Sequence, residues 1–455
     1  MIVMKFGGSS VESRVALERV TEIVRKYESR RPIVVVSAMG KTTNKLLAAA
    51  NEAVAGRREQ ALTLVDELRA YHLTHGLPVA GAAAAELDRY VRTHFEWLDE
   101  LVVGLSVVGE LSGRSTDAIA SVGERLSSLI LTFALQAAGI RAQHADSRRF
   151  IITDDRFTHA QPCWDETYSA LDGELRRMAE SAVVVMGGFI GSTKDGQTTT
   201  LGRGGSDYSA SIIGAGVGAE EIQIWTDVDG MLTADPRIIP GGHRVKSISF
   251  AEAAEMAYFG AKVLHPATVV PAVEKNIPVL ILNSRRPEVE GTRITSEPVA
   301  CHNPVKSISC KRGVTVLNIR STRMLMAHGF LRRIFEIFDR YKTSVDMVST
   351  SEVSVSLTIE DREQLDHICR ELKEFAEISS EDEQAIVCLV GENIRHTPGI
   401  AGRAFEVIRQ TNIRMISQGA SLLNLGFVVA EKDLRDVVAV LHREFFVDLD
   451  PAVFD

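Results

Sequence analysis

The stretch that decides the fold is Met1–Ser10, MIVMKFGGSS. Its apolar run at Ile2–Phe6 predicts a buried strand, and the glycines of Lys5–Ser10, KFGGSS, stand where this strand ends and a helix begins. Glycine lets a ligand approach the backbone closely, and the first turn of a helix carries about half a positive charge. The stretch therefore predicts an anion site beside Lys5, with a simple tight turn as the alternative.

Similar apolar, β-branched runs recur between amphipathic stretches through residues 1–300. They lie at Pro32–Ser37, Ala182–Met186, Glu221–Thr226 and Ile277–Leu282. Runs that are apolar on both faces are typical of a parallel sheet covered by helices. Residues from about 45 to 112 are rich in Ala, Leu, Glu and Arg, which predicts a helical insertion that could serve as a lid. We therefore expect an α/β domain over residues 1–300.

The pattern changes after residues 297–304, EPVACHNP, whose prolines and polar residues predict a linker. Beyond it, the order strand, helix, strand, strand, helix occurs twice, starting at Val314 and at Ala385. Two βαββα units in tandem predict a duplicated α+β domain. We place the first unit at 301–384 and the second at 385–455, with interleaving of the two as an option.

Composition excludes several classes of protein. The chain has 51 basic and 60 acidic residues in 455, a net charge of −9, which disfavours a nucleic-acid partner. No apolar run approaches the roughly 18 residues of a membrane span. The five cysteines form no C-x-x-C pair, and the N-terminus has no charged segment ahead of an apolar core, so we expect a reducing cytoplasm and no metal site.

A second glycine cluster, TLGRGGSD at Thr200–Asp207, also precedes a helix. Arg203 can bind a carboxylate through two hydrogen bonds, and Asp207 can bind an ammonium group. The cluster therefore predicts a site for a zwitterion such as an amino acid. A glycine-rich loop with a surface ion pair is the alternative.

A third element, Ile224–Arg237, carries three aspartates after a strand but departs from the calcium-loop pattern. We interpret it as a nucleotide-binding segment, with Mg²⁺ carried mainly by the phosphates; turn-forming aspartates are the alternative.

Two other motifs match a known pattern of residues but not its position relative to strands and helices. Gly40–Thr42 resembles the end of a P-loop, but Val35 occupies the position of the first glycine of that motif. The run from Gly214 matches G-x-G-x-x-A, but it follows a helix and precedes a strand, which is the reverse of the order in a dinucleotide-binding motif.

Seven motifs in one order carry a family resemblance: KFGGSS, VSAMGKTTN, SVGERLS, TTTLGRGGSDYSA, IWTDVDG, TADPR and FAEAAEMAYFGAKVLHPAT. Together they resemble the aspartate kinase branch of the amino-acid kinase family. The repeated βαββα units resemble paired ACT domains, and HGFLRRIF with SVDMVSTSEVSVSL is similar to the lysine-sensitive, monofunctional members. The resemblance implies an amino-acid kinase fold, a parallel-rich sheet between helices, followed by two ACT domains.

The resemblance also implies a reaction and a set of site residues. The reaction is transfer of the γ-phosphoryl group of ATP to the side-chain carboxylate of L-aspartate, giving 4-phospho-L-aspartate for lysine, threonine and methionine synthesis. Lys5 and Asp207 are implied as catalytic residues. The implied substrate residues are Thr43, Glu124, Arg203, Gly204, Gly205, Ser206 and Asp207. The implied nucleotide residues are Lys5, Gly7, Gly8, Ser9, Thr226, Asp227, Leu232, Arg237, Lys262 and Val263, with Leu232 at a position where relatives often carry tyrosine.

For the regulatory part, the resemblance implies feedback inhibition by lysine and a homodimer formed through the ACT domains. The implied effector residues are Met324, Gly329, Phe330, Leu331, Asp346, Ser351 and Glu352. Asp346 suits the ammonium group of the effector, and the helix that opens after Gly329 suits its carboxylate. A helix cap and a dimer contact would use the same residues.

Two other functions remain open at this point. The chain could be another amino-acid kinase, acting on glutamate, N-acetylglutamate, carbamate or a nucleoside monophosphate, although this leaves SVGERLS and the ACT-like units unexplained. It could also be a non-catalytic amino-acid sensor with a degenerate kinase fold. The intact set of Lys5, Glu124, Arg203 and Asp207 argues against a sensor.

Overall fold

The computed structural model describes residues 1–260, 264–297, 299–321 and 328–455. The chain divides into two units. The first contains Met1–Gly230 and Leu264–Glu297, and the second contains Met231–Val263 and Pro298–Asp455. The segment from Met231 to Val263, which the sequence analysis placed within residues 1–300, is thus grouped with the C-terminal residues.

The described strands, in chain order, are β1 (Ile2–Phe6), β2 (Pro32–Val36), β3 (Ala142–Ala145), β4 (Ile152–Thr153), β5 (Val183–Gly187), β6 (Ile190–Thr193), β7 (Thr198–Thr200), β8 (Ile222–Thr226), β9 (Met231–Leu232), β10 (Arg244–Val245), β11 (Ser247–Ser249), β12 (Val279–Asn283), β13 (Thr292–Thr295), β14 (Ser307–Arg320), β15 (Val348–Thr350), β16 (Ser354–Ile359), β17 (Glu377–Val390), β18 (Met415–Gln418) and β19 (Asn424–Ala430).

The described α-helices are α1 (Arg14–Tyr27), α2 (Thr42–Val54), α3 (Arg58–Gly76), α4 (Ala84–Val108), α5 (Gly113–Ala120), α6 (Val122–Ala137), α7 (Trp164–Ala170), α8 (Arg176–Ser181), α9 (Gly205–Val217), α10 (Phe250–Tyr258), α11 (Val270–Glu274), α12 (Phe330–Arg340), α13 (Leu365–Leu372), α14 (Ile400–Val407) and α15 (Leu434–Phe445).

The main sheet of the first unit is mostly parallel. Its strands lie in the order β13, β12, β8, β1, β2, β5, β3, and of these neighbouring pairs only β12 and β13 are antiparallel. Every residue of β1, β2 and β5 is buried, as expected for strands covered on both faces. Because parallel strands end at one edge of a sheet, the loops after β1 and β2 lie side by side. The predicted α/β fold is confirmed.

Helices α2, α3 and α4 lie in the region where the sequence predicts a helical insertion. Their buried side chains, among them Leu68, Leu87, Val91 and Phe95, join the same apolar core as β1 and β2. One helical stretch of the described chain, Gly113–Ala137, is long and apolar enough for a membrane span by length and composition, but 83% of its apolar window is buried inside the fold. A buried helix in the core of a folded domain meets the same criteria of length and composition.

The second unit is built on an antiparallel sheet with the strand order β15, β16, β14, β17, β19, β18. The chain order β14, α12, β15, β16, α13 is repeated by β17, α14, β18, β19, α15, which confirms the two βαββα units. Strands β14 and β17 pair with each other, and the proposed boundary at 384 and 385 falls inside β17.

Strands β14 and β17 begin earlier than the sequence suggested. In β14 the run Lys311–Gly313 resembles a turn, but it is an irregularity in a continuous strand, where the register shifts and Gly313 has φ of 69°. In β17 the residues from Glu377 to Asp382 are polar, so the sequence gives little sign that they pair with β14. Backbone pairing with a neighbouring strand extends both elements.

A buried ion pair joins segment 231–260 to the rest of the second unit. Ser249 and Glu252 form a capping box at the start of α10. The Nζ atom of Lys306 lies 3.0 Å from Oε1 of Glu252, and both side chains are completely buried. Because a buried charge without its partner is costly, this pair fixes α10 against the start of β14.

Candidate active site

A cleft of about 570 Å³ lies in the first unit, at the carboxyl ends of β1 and β2. Two loops form one side of it: the phosphate cradle, defined as Gly7–Ser10 after β1, and the acceptor loop, defined as Gly40–Thr43 after β2. The other lining residues include Lys5, Asp117, Glu124, His159, Phe189 and Arg203–Asp207. The predicted substrate residues therefore all line one cleft, although they come from three parts of the chain.

Lys5 and Asp207 form an ion pair at this cleft. The Nζ atom of Lys5 is 2.6 Å from Oδ1 of Asp207, and the side chains are only 11% and 17% exposed. Lys5 is held by β1, between β2 and β8, and Asp207 lies in the first turn of α9. The structure thus brings a lysine at the end of the first strand together with a carboxylate some two hundred residues later.

The phosphate cradle depends on glycine at one position in particular. A Cβ atom on Gly8 would lie 2.8 Å from the carbonyl oxygen of Gly40 and 2.9 Å from that of Ala38, which are closer than side chains tolerate. Gly8 therefore permits the two loops to touch. The amide of Gly7 donates to the carbonyl of Trp225 at 3.1 Å, so it is engaged within the sheet, and Gly8 is the cradle residue that lines the cleft.

Glu124 is the most deeply buried ionisable group of the cleft. It lies in the first turn of α6, is 3% exposed, and its Oε2 atom has no hydrogen-bond partner in the described part of the chain. Burial raises the pKa of Glu124 to about 8, and hydrogen bonds from the backbone amides of Ala38 and of Glu124 itself oppose this rise. When it is ionised, a buried carboxyl group lacks the water that would solvate its charge. A bound cation can take the place of that water.

Residues 203–207 combine an accessible cation with a tightly packed turn. Arg203 is exposed, and no carboxylate of the described residues lies within ion-pair distance of it. Gly204 has φ of 73°, a left-handed conformation that favours glycine, and caps α9. A Cβ atom on Gly188 would lie 2.7 Å from that of Ser206, so the glycine after β5 lets this turn approach the sheet. The guanidinium group of Arg203 is therefore free to receive a carboxylate.

Asp117 is a site residue that sequence reasoning missed. It is completely buried and accepts hydrogen bonds from the amides of Thr158 and Thr200, both at 2.9 Å, and from the hydroxyl of Thr200 at 2.6 Å. Burial raises its pKa. Asp117 thereby fixes the loop that carries His159 and the end of β7, which leads into Arg203. No spacing rule connects it to these partners, so the sequence alone offered no signal.

The expected nucleotide residues are divided between the two units. Thr226 ends β8 in the first unit and Asp227 follows it, and the Thr226 hydroxyl donates to the Asp227 carboxylate at 3.3 Å. Leu232 and Arg237 belong to the second unit, and Arg237 pairs with Asp235 at 2.6 Å. Lys262 and Val263 lie outside the described residues.

Asp346 stands at one end of the first ACT-like unit. Its amide pairs with the carbonyl of Thr358 at 3.0 Å just before β15. Its carboxylate is 2.8 Å from Nζ of Lys311 and accepts a hydrogen bond from the hydroxyl of Tyr258 at 3.3 Å. A candidate partner for an effector ammonium is thus already bound to a cation of its own chain.

The other described effector candidates lie at the opposite end of β15. Ser351 pairs with Ser354 at the hairpin after this strand. It lies five positions after Asp346, so a fully extended backbone separates the two by up to roughly 16 Å. Gly329 has φ of 80° and caps α12, whose Phe330 ring packs against that of Phe375 with centroids 5.6 Å apart. Leu331 and Glu352 are exposed beside these residues, and Met324 lies outside the described residues.

Comparisons with known proteins agree with this geometry. The sequence profile of the amino acid kinase family matches residues 1–283, and that of the ACT domain matches residues 387–445. Aspartokinase 1, chloroplastic, of Arabidopsis thaliana is 41% identical over 461 residues, covering 98% of this chain and 80% of the relative. Lysine-sensitive aspartokinase 3 of Escherichia coli K12 is 36% identical, covering 98% of this chain and 99% of the relative.

Two solved structures extend the likeness to three dimensions. E. coli aspartokinase III in complex with aspartate and ADP, described as the R-state, superimposes with a TM-score of 0.84 at 35% identity, over 98% of this chain and 100% of that one. The same enzyme in complex with lysine and aspartate, described as the T-state, gives a TM-score of 0.85 at 35% identity, over 98% and 99% of the two chains. This chain therefore belongs to the amino acid kinase family, and within it to the aspartokinases with C-terminal ACT domains.

Proposed function

We propose that this chain transfers the γ-phosphoryl group of ATP to the side-chain carboxylate of L-aspartate, giving ADP and 4-phospho-L-aspartate for lysine, threonine and methionine synthesis. One observation carries the proposal: a single cleft places a lysine at a strand end opposite groups that suit a small zwitterion. The likeness to aspartokinases over nearly the whole chain supports the same reaction.

The charges of the cleft suggest how aspartate is held. Arg203, which has no carboxylate partner among the described residues, binds the α-carboxylate, and Glu124 offers to the ammonium group the oxygen that is unpartnered within the same part of the chain. Thr43 lines the same cleft and orients the side chain. Asp207 was expected to bind the ammonium; since it is 2.6 Å from Lys5, we assign it to orienting that lysine as well.

The chemistry then consists of positioning and charge stabilisation. A carboxylate with a pKa of about 4 is ionised at neutral pH, so the acceptor needs no general base. The Lys5 ammonium, at the end of β1, neutralises charge that develops on the transferred phosphoryl group. The amides of Gly8 and Ser9 in the phosphate cradle and the first turn of α9 favour an anion at the same place.

The nucleotide and its metal ion require few protein ligands in this scheme. We assign ATP to the ends of β1 and β8, with Gly8, Ser9, Thr226 and Asp227 from the first unit. No group of three or more His, Cys, Asp or Glu side chains in the described residues is placed to hold a metal ion. Phosphate oxygens and water would therefore supply most ligands of Mg²⁺, which would neutralise phosphate charge when bound.

The test is a hydroxamate assay of the purified full chain with ATP. We expect turnover with L-aspartate and none with glutamate, N-acetylglutamate or UMP. Lys5→Ala should lower kcat at least a hundredfold, whereas Lys45→Ala, which removes an exposed lysine of α2 that pairs with Glu67 outside the cleft lining, should change it less than threefold. Turnover of another acceptor without aspartate would refute the proposal, and so would an active Lys5→Ala variant.

For regulation we propose inhibition by lysine bound through the ACT units of two chains. Asp346 and Ser351 stand before and after β15, up to roughly 16 Å apart along the extended chain, and this placement supports a site completed by a second copy. Calorimetric titration with lysine, threonine and methionine in turn tests the effector, and sedimentation with and without lysine tests the dimer. Binding of threonine alone, or a monomer that binds lysine, would contradict this part without affecting the kinase reaction.

We also propose residues 1–300 as the catalytic domain, with the insertion at about 45–112, and 301–384 and 385–455 as the ACT domains. Limited proteolysis, with cleavage expected in the linker at residues 297–304, tests this division.

A cytoplasmic location is proposed because all five cysteines are free thiols, as in a reducing compartment. Cell fractionation checks it.

A further inference from the structure

Tyr71 connects the helical insertion to both loops of the cleft. From α3, its hydroxyl donates a hydrogen bond to the carbonyl of Glu12, two residues beyond the phosphate cradle. The same oxygen faces the acceptor loop, where a Cβ atom on Gly40 would lie 2.9 Å from it. Gly40 has φ of 55° and no side chain, so the tyrosine fits against its backbone. One side chain thus contacts both the segment that follows the phosphate cradle and the acceptor loop.

The two loops also contact each other directly. The amide of Gly40 donates to the carbonyl of Gly8 at 3.0 Å, at the position where the cradle has no room for a Cβ atom. Tyr71 supports this contact from the side. Its ring is held edge-on by His75 and His72, with centroids 4.9 and 5.3 Å away, and His72 is completely buried. A rigid helix therefore presents the hydroxyl at a fixed point.

We propose that Tyr71 is a positioning residue that sets the separation between the phosphate cradle and the acceptor loop during phosphoryl transfer. The proposal rests on the proposed function, in which the cradle holds the donor phosphate and Thr43 of the acceptor loop orients aspartate. Reacting atoms must come within about 3–3.5 Å of each other, so a small shift between the loops slows transfer more than it weakens binding.

The protonation state of the Tyr71 hydroxyl agrees with its action as a hydrogen-bond donor to the carbonyl of Glu12. Burial, followed by the nearby charge of Glu12, raises the pKa of Tyr71 to about 12. The hydroxyl therefore keeps its proton, and remains a hydrogen-bond donor, at neutral and moderately alkaline pH. The charged and titratable groups around it are Glu12, which pairs with Arg285 at 3.5 Å, and the two histidines that flank the ring.

Steady-state kinetics of Tyr71→Phe in the full chain test the proposal, because this change removes only the oxygen atom. Tyr168→Phe on α7 is the matched control: it is half-buried and outside the cleft lining. We expect kcat for Tyr71→Phe to fall about threefold to tenfold, with KM for ATP and for aspartate within about twofold of wild type and the melting temperature unchanged. The control should retain the wild-type kcat.

A double-mutant cycle separates positioning from general destabilisation. Gly40→Ala places a methyl group against the tyrosine oxygen, so it should be less harmful to kcat in the Tyr71→Phe background, where that oxygen is missing. A wild-type kcat for Tyr71→Phe, a loss that merely follows a lower melting temperature, or strictly additive losses in the cycle would overturn the proposal. Absence of aspartate turnover in the wild type would instead overturn the proposed function.

Discussion

The buried carboxyl of Glu124 leads to a prediction in which stability and activity respond oppositely to one change. Its pKa is raised by burial to about 8, from an ordinary value of 4.5. Between these two pH values the unfolded chain has lost the proton while the folded chain retains it, so stability falls as pH rises through this interval. A glutamine at this position has nearly the same shape and no such dependence. Glu124→Gln should therefore gain stability relative to wild type as pH rises.

The magnitude follows from the linkage relation. Each pH unit in the interval contributes about 1.4 kcal/mol, so the difference in free energy of unfolding between the variant and wild type should grow by about 4 kcal/mol from pH 5 to pH 8. Other groups titrate alike in both proteins and cancel. Scanning calorimetry of the two proteins at several pH values measures the difference, with Glu86→Gln, an exposed glutamate of α4, as the control. A difference that stays constant with pH would refute the reasoning.

The same group predicts the pH dependence of substrate binding. If the substrate ammonium requires an ionised Glu124, then affinity for aspartate should rise about tenfold per pH unit up to about pH 8 and then level off. Glu124→Gln should bind aspartate weakly at every pH, with no such slope. Isothermal titration in buffers of different ionisation enthalpy would also detect the proton that binding releases. Binding of equal strength at pH 6 and pH 8 in the wild type would contradict the assignment.

Four further changes test separate parts of the structure. Gly8→Ala should raise KM for ATP at least tenfold in steady-state assays, since its methyl group meets two carbonyl oxygens; an unchanged KM would contradict the close contact of the loops. Asp117→Asn should raise KM for aspartate about tenfold and leave that for ATP within twofold, because an amide cannot accept all three hydrogen bonds; equal effects on both would contradict it. Lys306→Met should destabilise the second unit by about 3–5 kcal/mol in urea unfolding, and adding Glu252→Gln should recover part of the loss. Asp346→Asn should abolish calorimetric lysine binding and preserve kcat without effector; intact binding would remove Asp346 from the site.

The elements of this chain were predictable because burial leaves a local pattern in the sequence. The run Ile2–Phe6 is the strand β1 residue for residue, and the helices from Phe330 and Leu434 begin where the amphipathic pattern begins. The burial pattern did not predict the first half of β17, which is mostly polar. This half is a strand because its backbone pairs with β14. The repeated order of elements was enough to predict the duplicated unit, because it needs only the type of each element.

The residues of the candidate site also fall into two groups, those that the sequence singled out and those that it did not. Lys5, Glu124 and Arg203 could be singled out because their motifs are contiguous in the sequence, with glycines or a helix start beside them. Asp117 and Tyr71 could not, because each acts through backbone groups that are distant in the chain and carry no residue-specific signal.

The sequence by itself determined most of the strands and helices, apart from the first parts of β14 and β17, and it determined which charged side chains stand at their ends, since both follow from neighbours a few positions apart. Only the tertiary structure decided that Lys5 pairs with Asp207 and that Glu124 is buried enough to keep its proton. Those relations are distances between parts of the chain remote in sequence, and they arise when the sheet and its helices close around a common core.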